Sequence, residues 1–597
     1  MESVALEQLD QLEDALELVT NVTLDEPELN MPFCRKAELH YELKQYQEAI
    51  DAATRSLELD DSFHLPYRIR GNAYYELGYY NDAFQDCCDC IDIFPGEIEA
   101  YFCKINILIE VSEFDMAFQE LDNLEAQVKG TQITFLRGKA LEASGDLEKA
   151  RLTYRQVMDD HADQQREIYQ PAEVHSLAGT YYRLAQVCQE LYRRQHRDVF
   201  WKEYMDLLQE GVKKFPANLD LMGDLASEFY GQSRHKEAQK LYEHLAELDP
   251  RAARFAQLAG NEIQMDQFDS ALHHLKQAQE LDRDLVYSEI LFCAVHTCLE
   301  QYEEALTHIN RAKQLADAQE RNWPRILRDK AMVYARMKEY NQAIACYREN
   351  WQLYEHQEDM ASVMEMYRLS GRYREALLEG ESYMAGREPR ECFRVLDEMK
   401  LAAASLEDWI LVTRYCNMDT RKYNRHFYEG RFLMYSDVND ADTPKDALQS
   451  FLLAEVGNPS SINNLIEIAK LYLKLKNKKK AYEYAGKVLD AVPADFMDCG
   501  YQRSFYLARS AEALAILGKY KEAEERIQMA IEGRKCDFCQ YCGCVDAYCA
   551  WVYLCCIRGD EEGAAKYREA GLAICAYDRD LLHYPDYFMT KKRGLFK

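Results

Sequence analysis

Near its C-terminal end the chain reads GRKCDFCQYCGCVDAYCAWVYLCC, and here its residue types come nearest to chemistry. Cys536, Cys539, Cys542, Cys544 and Cys549 lie within 14 residues. The spacing C-x2-C-x2-C-x-C offers several soft thiolates of the kind that hold zinc, and all-thiolate ligation favours a closed structural site over a catalytic one. Cys536, Cys539, Cys542 and Cys544 are therefore the candidate metal ligands, with structural zinc the candidate cofactor. The other reading is that these thiols are tolerated in a reducing compartment as small hydrophobes, as Cys555, Cys556 and Cys575 are expected to be. His273 and His274 form a pair on one helix, expected to set one ring against a neighbouring helix and the other in water. The chain has no Gly-rich phosphate loop followed by Lys-Ser/Thr, no HExxH, no GxSxG and no kinase signature set. No catalytic residue is assigned, and an enzyme is not expected.

The elements that would carry these residues repeat. Ala49, Ala83, Ala117 and Ala150 are spaced by 34, 34 and 33 residues, Ala238, Ala271 and Ala305 by 33 and 34, Ala343 and Ala376 by 33, and Ala447 and Ala481 by 34. Ala523 and Ala564 follow at longer steps, and a zinc-stapled loop at 534–549 would account for the second. Three places before eight of these alanines stands Tyr46, Tyr80, Phe114, Phe268, Tyr302, Tyr340, Tyr373 or Tyr520. Twelve places before them a small residue recurs, as at Ala37, Gly71, Gly138 and Ala331. The unit His64–Glu97 reads as helix, tight turn, helix, closed by Pro95, which cannot continue a helix. Small residues let two helices approach, and aromatic residues fill the space beside them.

A period near 34 with these small and aromatic positions resembles the tetratricopeptide repeat (TPR) family, from about Asn30 to Tyr577. The resemblance implies an all-α fold, in which tandem helix-turn-helix TPR repeats form a right-handed superhelical solenoid of about 14 or 15 hairpins. The expected divisions are a capping helix at 1–29, a first array at 30–383, a degenerate repeat or joint at 384–422, a second array at 423–577 and a tail at 578–597. Residues 6–19 bring Leu6, Leu9, Leu12, Leu16 and Val19 to one helical face.

In the family, the first helices of successive hairpins line a concave groove that binds peptides or partner helices. Carried over by register, the inward residues are Arg68, Asn72 and Tyr75, then Phe102, Asn106 and Ile109, then Phe135 and Lys139. Arg68, Asn72, Tyr75, Phe102, Asn106 and Phe135 are the candidate partner-binding residues. Arg68, Asn72 and Asn106 offer hydrogen bonds, and Tyr75, Phe102 and Phe135 offer apolar contact, unless the two phenylalanines pack on each other to stiffen the array. The clamp with which some TPR proteins hold chaperone carboxylates is not matched, because Cys103, Gln132 and Leu136 stand where it needs Asn, Lys and Arg. Ala256, Gly260, Ile263, Ile290 and Ala294 form a small, apolar inward stretch suited to a partner helix.

Composition bounds the function. The formal net charge is −31, from 103 acidic and 72 basic residues among 597. Such a surface repels phosphate backbones, so nucleic acid is a poor partner. Lys470, Lys474, Lys476, Lys478, Lys479 and Lys480 form the densest basic run, expected to be solvated near a turn. No stretch of about 18 apolar residues spans a membrane, and the N-terminus MESVALEQLDQLEDALELV carries acids where a signal peptide needs basic and apolar residues. With 20 cysteines and no export signal, a cytoplasmic setting is expected. The function expected is a protein–protein interaction scaffold or adaptor, a monomer or homodimer. The alternatives are a peptide-sensing regulator, or an accessory subunit with a zinc or thiol site.

Overall fold

The structure, a computed structural model, describes residues 2–128, 130–163, 177–436, 442–494, 496–498, 503–532, 544–575 and 578–588. Among these there are 32 α-helices and no strand. Helix Glu2–Asp25 opens the chain, fifteen successive helix pairs follow, and helix Arg579–Phe588 comes last. The chain divides into two compact units, Met1–Leu225 and Ala226–Lys597. Residues 384–422, read above as a degenerate repeat or joint, fall within the second unit and hold the helices Phe393–Ser405 and Trp409–Met418.

Thirteen pairs share one turn, and its backbone explains the register. In the first, Lys44 adopts φ 59°; its N–H bonds to the carbonyl of Tyr41, and the N–H of Gln45 bonds to that of His40. These two bonds satisfy carbonyls that the end of a helix leaves unpaired, and they require a left-handed residue between them. Glycine holds that position at Gly78, Gly145, Gly371, Gly518 and Gly559; elsewhere Lys44, Ser112, Ser233, Asp266, Glu300, Lys338, Glu407 and Lys476 accept it. Five residues after each stands the marker alanine, except after Glu407, where Val412 takes its place. The eight aromatic residues from Tyr46 to Tyr520 each open the second helix of a pair.

The marker alanines are buried completely or nearly so, because two helices cross there and backbone approach excludes larger side chains. Gly138 shows how tight the crossing is: a Cβ on it would lie 2.7 Å from the Tyr154 ring. In the first unit, helix Glu2–Asp25 packs on helix Asn30–Glu42, with Leu12, Leu16 and Val19 half-buried and Leu18 and Leu24 exposed, while the side chains of Leu6 and Leu9 lie outside the described ones.

In the second unit several first helices are buried on every side. Asn464–Leu471 within helix Ile462–Lys474, and Leu507–Ile516 within helix Arg503–Ile516, are continuously buried. Ala256, Ile263 and Ile290 are likewise core residues packed between hairpins, so they do not offer the open apolar stretch expected of them. Arg503 closes a long-range contact in this unit, its Nη2 lying 3.0 Å from Asp266 Oδ2.

Candidate functional site

In the first unit polar side chains form a ladder along the first helices from His64–Glu76 to Leu219–Gly231. Arg68 Nη1 donates to Glu99 Oε2 at 2.5 Å. Lys139 Nζ donates to Asn106 Oδ1 at 2.9 Å, and Asn106 Nδ2 to the carbonyl of Phe102. Arg183 Nη1 donates to Glu142 Oε2 at 3.2 Å, and Gln186 Nε2 to Asp224 Oδ2 at 2.5 Å. Ion pairs of this partly solvated kind add about 0–1 kcal/mol each. Their effect is to fix where charges and amides sit along the face.

Arg68, Asn72, Tyr75, Phe102 and Asn106 are all half-buried, with one side open. The buried Nε of Arg68 has no hydrogen-bond acceptor, and Glu97 Oε1 stands 3.9 Å from it. Tyr75 sets its ring 5.9 Å from that of Tyr80, and burial together with the nearby Glu110 raises its hydroxyl well above the ordinary tyrosine range. Burial and the neighbouring Arg183 lower the Lys139 ammonium. Phe135 differs: it is only 6% exposed, and its ring packs 5.5 Å from Tyr154 of its own hairpin. It is a core residue, and so is Ile109. The open face thus carries a guanidinium, two carboxamides and two aromatic rings. These groups can bond peptide carbonyls and cover apolar side chains.

The second unit closes charges of its first helices into its core. Lys470 is fully buried, and Nζ donates to Glu512 Oε1 at 2.8 Å, Glu467 Oε1 at 3.2 Å and Tyr584 Oη at 2.7 Å. The expectation of a solvated basic run therefore fails at Lys470, although Lys478, Lys479 and Lys480 are exposed. Arg509 donates to Asn463, Glu512 and Asp546. Lys400, also fully buried, bonds to Asp397 and Asp419. Charges this deep persist because each is paired and hydrogen-bonded. The sequence offered one signal for this cluster, Glu467 and Lys470 three apart in the otherwise apolar run Leu465–Leu473.

Of the candidate metal ligands, Cys536, Cys539 and Cys542 lie outside the described residues, and Cys544 opens helix Cys544–Arg558 without a described side chain. Cys549 is buried in that helix and donates to Asp578 Oδ1 at 3.5 Å. Among the described residues no group of three or more His, Cys, Asp or Glu side chains could hold a metal ion. His274 bonds to the buried Glu262 at 2.8 Å. Among the described helices none is long and apolar enough to cross a membrane.

The tetratricopeptide repeat family matches residues 33–63, the pair whose turn is centred on Lys44, and twelve further turns repeat that geometry. The chain is thus built of tetratricopeptide-type repeats, a fold that serves protein–protein interaction. No curated protein matches the chain. Among solved structures it is similar to the APC/C hetero-tetramer Cut9–Hcn1 (14% identity, 81% of this chain and 97% of that one, TM-score 0.34). It is also similar to yeast Tom70 (14% identity, 85% and 98%, TM-score 0.36). At these values neither likeness carries an argument about what this chain binds.

Proposed function

We propose that this tandem array of tetratricopeptide-type hairpins is a protein-interaction scaffold without an active site of its own, and that it binds an extended peptide or a partner helix along the inward face of residues 64–142. One contrast supports the reading. The position eleven places before the marker alanine is half-open in the first unit, at Asn72 and Asn106, with Arg68 and Tyr75 half-open beside it, but is closed and internally neutralised in the second, at Lys470 and Glu512. A surface that must accept a partner keeps unspent hydrogen-bonding capacity, and Arg and Tyr are common energetic anchors of interfaces.

A reducing, cytoplasmic setting fits the cysteines whose side chains are described, twelve of the fifteen being buried as small hydrophobes. The net charge of −31 speaks for a protein partner and against nucleic acid.

The test is co-purification from the native cell. The wild-type chain is expected to return a stoichiometric protein partner, and Arg68→Ala with Tyr75→Ala to weaken its binding at least tenfold while the melting temperature stays nearly constant. Retention of the partner at full affinity by the double variant would place the binding face elsewhere.

A further inference from the structure

The last helix, Arg579–Phe588, does more than continue the stack. A helix merely added to the end would touch the final pair alone. This one also reaches helix Lys422–Ser436, where Arg431 Nη2 lies 2.8 Å from Asp580 Oδ1, and helix Ile462–Lys474, where Lys470 Nζ bonds to Tyr584 Oη. Leu581 and Tyr584 are fully buried. The Tyr584 and Phe588 rings stand 6.1 and 5.0 Å from Tyr553 of helix Cys544–Arg558, and Lys474 Nζ lies 5.7 Å from the Phe588 ring. Gly571 leaves the room for Leu581, since a Cβ there would lie 2.6 Å from Leu581 Cδ1.

Two observations mark this helix as a replaceable occupant. It is intrinsically weak: at ten residues it is short, and Pro585 lacks the N–H that would bond the carbonyl of Leu581. It also satisfies its site incompletely, for the buried Glu467 Oε2 and Tyr553 Oη beneath it have no hydrogen-bond partner.

We infer that the inward surface of helices Lys422–Ser436, Ile462–Lys474 and Cys544–Arg558 is a docking site for an amphipathic helix of the pattern Asp-Leu-x2-Tyr-x3-Phe, occupied in cis by Asp580, Leu581, Tyr584 and Phe588 and open in trans to a partner helix of the same chemistry. The site supplies a cation for the leading carboxylate in Arg431, a cation for the phenol oxygen in Lys470, and an aromatic wall in Tyr553. A trans helix that also offers hydrogen bonds to Glu467 Oε2 and Tyr553 Oη would hold it more tightly than the chain's own. This inference does not rest on the open face of the first unit.

The test uses the full chain and a fluorescein-labelled synthetic peptide of residues 577–590. In Asp580→Arg, amide exchange across 579–588 is expected to quicken at least tenfold, and the peptide to bind at least tenfold more tightly than to the wild type. Adding Arg431→Asp is expected to restore the protection. Gly571→Val, which fills the space of Leu581, should quicken the exchange without touching a charge, and should not tighten the peptide, whose own leucine needs the same space. Unchanged exchange in both variants, or faster exchange in Asp580→Arg with no gain in peptide binding, overturns the proposal. Loss of helicity throughout the second unit in both variants also overturns it, by marking the helix as an obligatory part of the fold.

Discussion

Lys470 Nζ and Tyr584 Oη are 2.7 Å apart although 114 residues separate them in sequence. The ammonium is fully buried with Glu467 and Glu512, so its removal leaves two carboxylates short of a counter-charge. Lys470→Met is expected to cost about 3–5 kcal/mol. Tyr584→Phe, which removes one hydrogen bond to a charged donor, should cost about 1.5–3 kcal/mol. Urea unfolding followed at the second unit measures both.

Asp578 caps the last helix, accepting from the N–H of Leu581 at 3.0 Å and from Cys549 Sγ. Burial, then the charge of Asp580, push its carboxyl up from 3.8 to about 7, with Cys575 and Asp546 adding to the rise and the Leu581 N–H opposing it. A raised acid favours the protonated form in the docked state, so this contribution is complete below about pH 4 and is lost as pH rises through 7. Protection of 579–588, corrected for intrinsic exchange, should fall between pH 5 and 8. Asp578→Asn should flatten that slope.

The left-handed turn residues predict opposite effects of removing and of introducing glycine. At Gly518, φ is 79° and no atom lies within 4 Å of an added Cβ, so Gly518→Ala should cost about 1 kcal/mol from the backbone alone. Glu300 holds φ 61° with a full side chain, and Glu300→Gly should be neutral or stabilise by up to about 1 kcal/mol. Denaturant midpoints of the two variants should move in different directions.

Crossing glycines should differ by their neighbours. Gly138→Ala drives a methyl into the fully buried Tyr154, whose hydroxyl donates to Glu142, and should cost about 1–3 kcal/mol. At Gly71 the nearest atom is Asp86 Cβ at 3.3 Å, and the corresponding loss should be smaller. Thermal melts of the two single variants decide the order.

The hairpins were legible because a small residue at a helix crossing is a local requirement that recurs with the period of the unit. Where the requirement was met differently, the register vanished: Val412 replaces alanine, so the pair at 393–418 looked degenerate although its turn matches the others. The inward face was only partly legible. Arg68, Asn72, Tyr75 and Asn106 are half-open as their register implies, but Phe135 turns to Tyr154 because its own hairpin offers a ring to pack on. The docking of helix Arg579–Phe588 could not be read, since its contacts with Arg431, Lys470 and Tyr553 span 31 to 149 residues and nothing local links them. What could have hinted at it is the spacing of Asp580, Leu581, Tyr584 and Phe588 on one face.

The burial of Lys470 also orders events in time. A chain is made from its N-terminus at about 5–20 residues per second. Tyr584 is therefore added some 6–23 seconds after Lys470, and Asp580 follows Arg431 by longer still. Until then the lysine lacks a partner that its buried position demands, and the inward surface beneath the last helix stands bare. The contacts described for the second unit are complete only when residues 579–588 have been added, whereas those of residues 1–225 are complete long before.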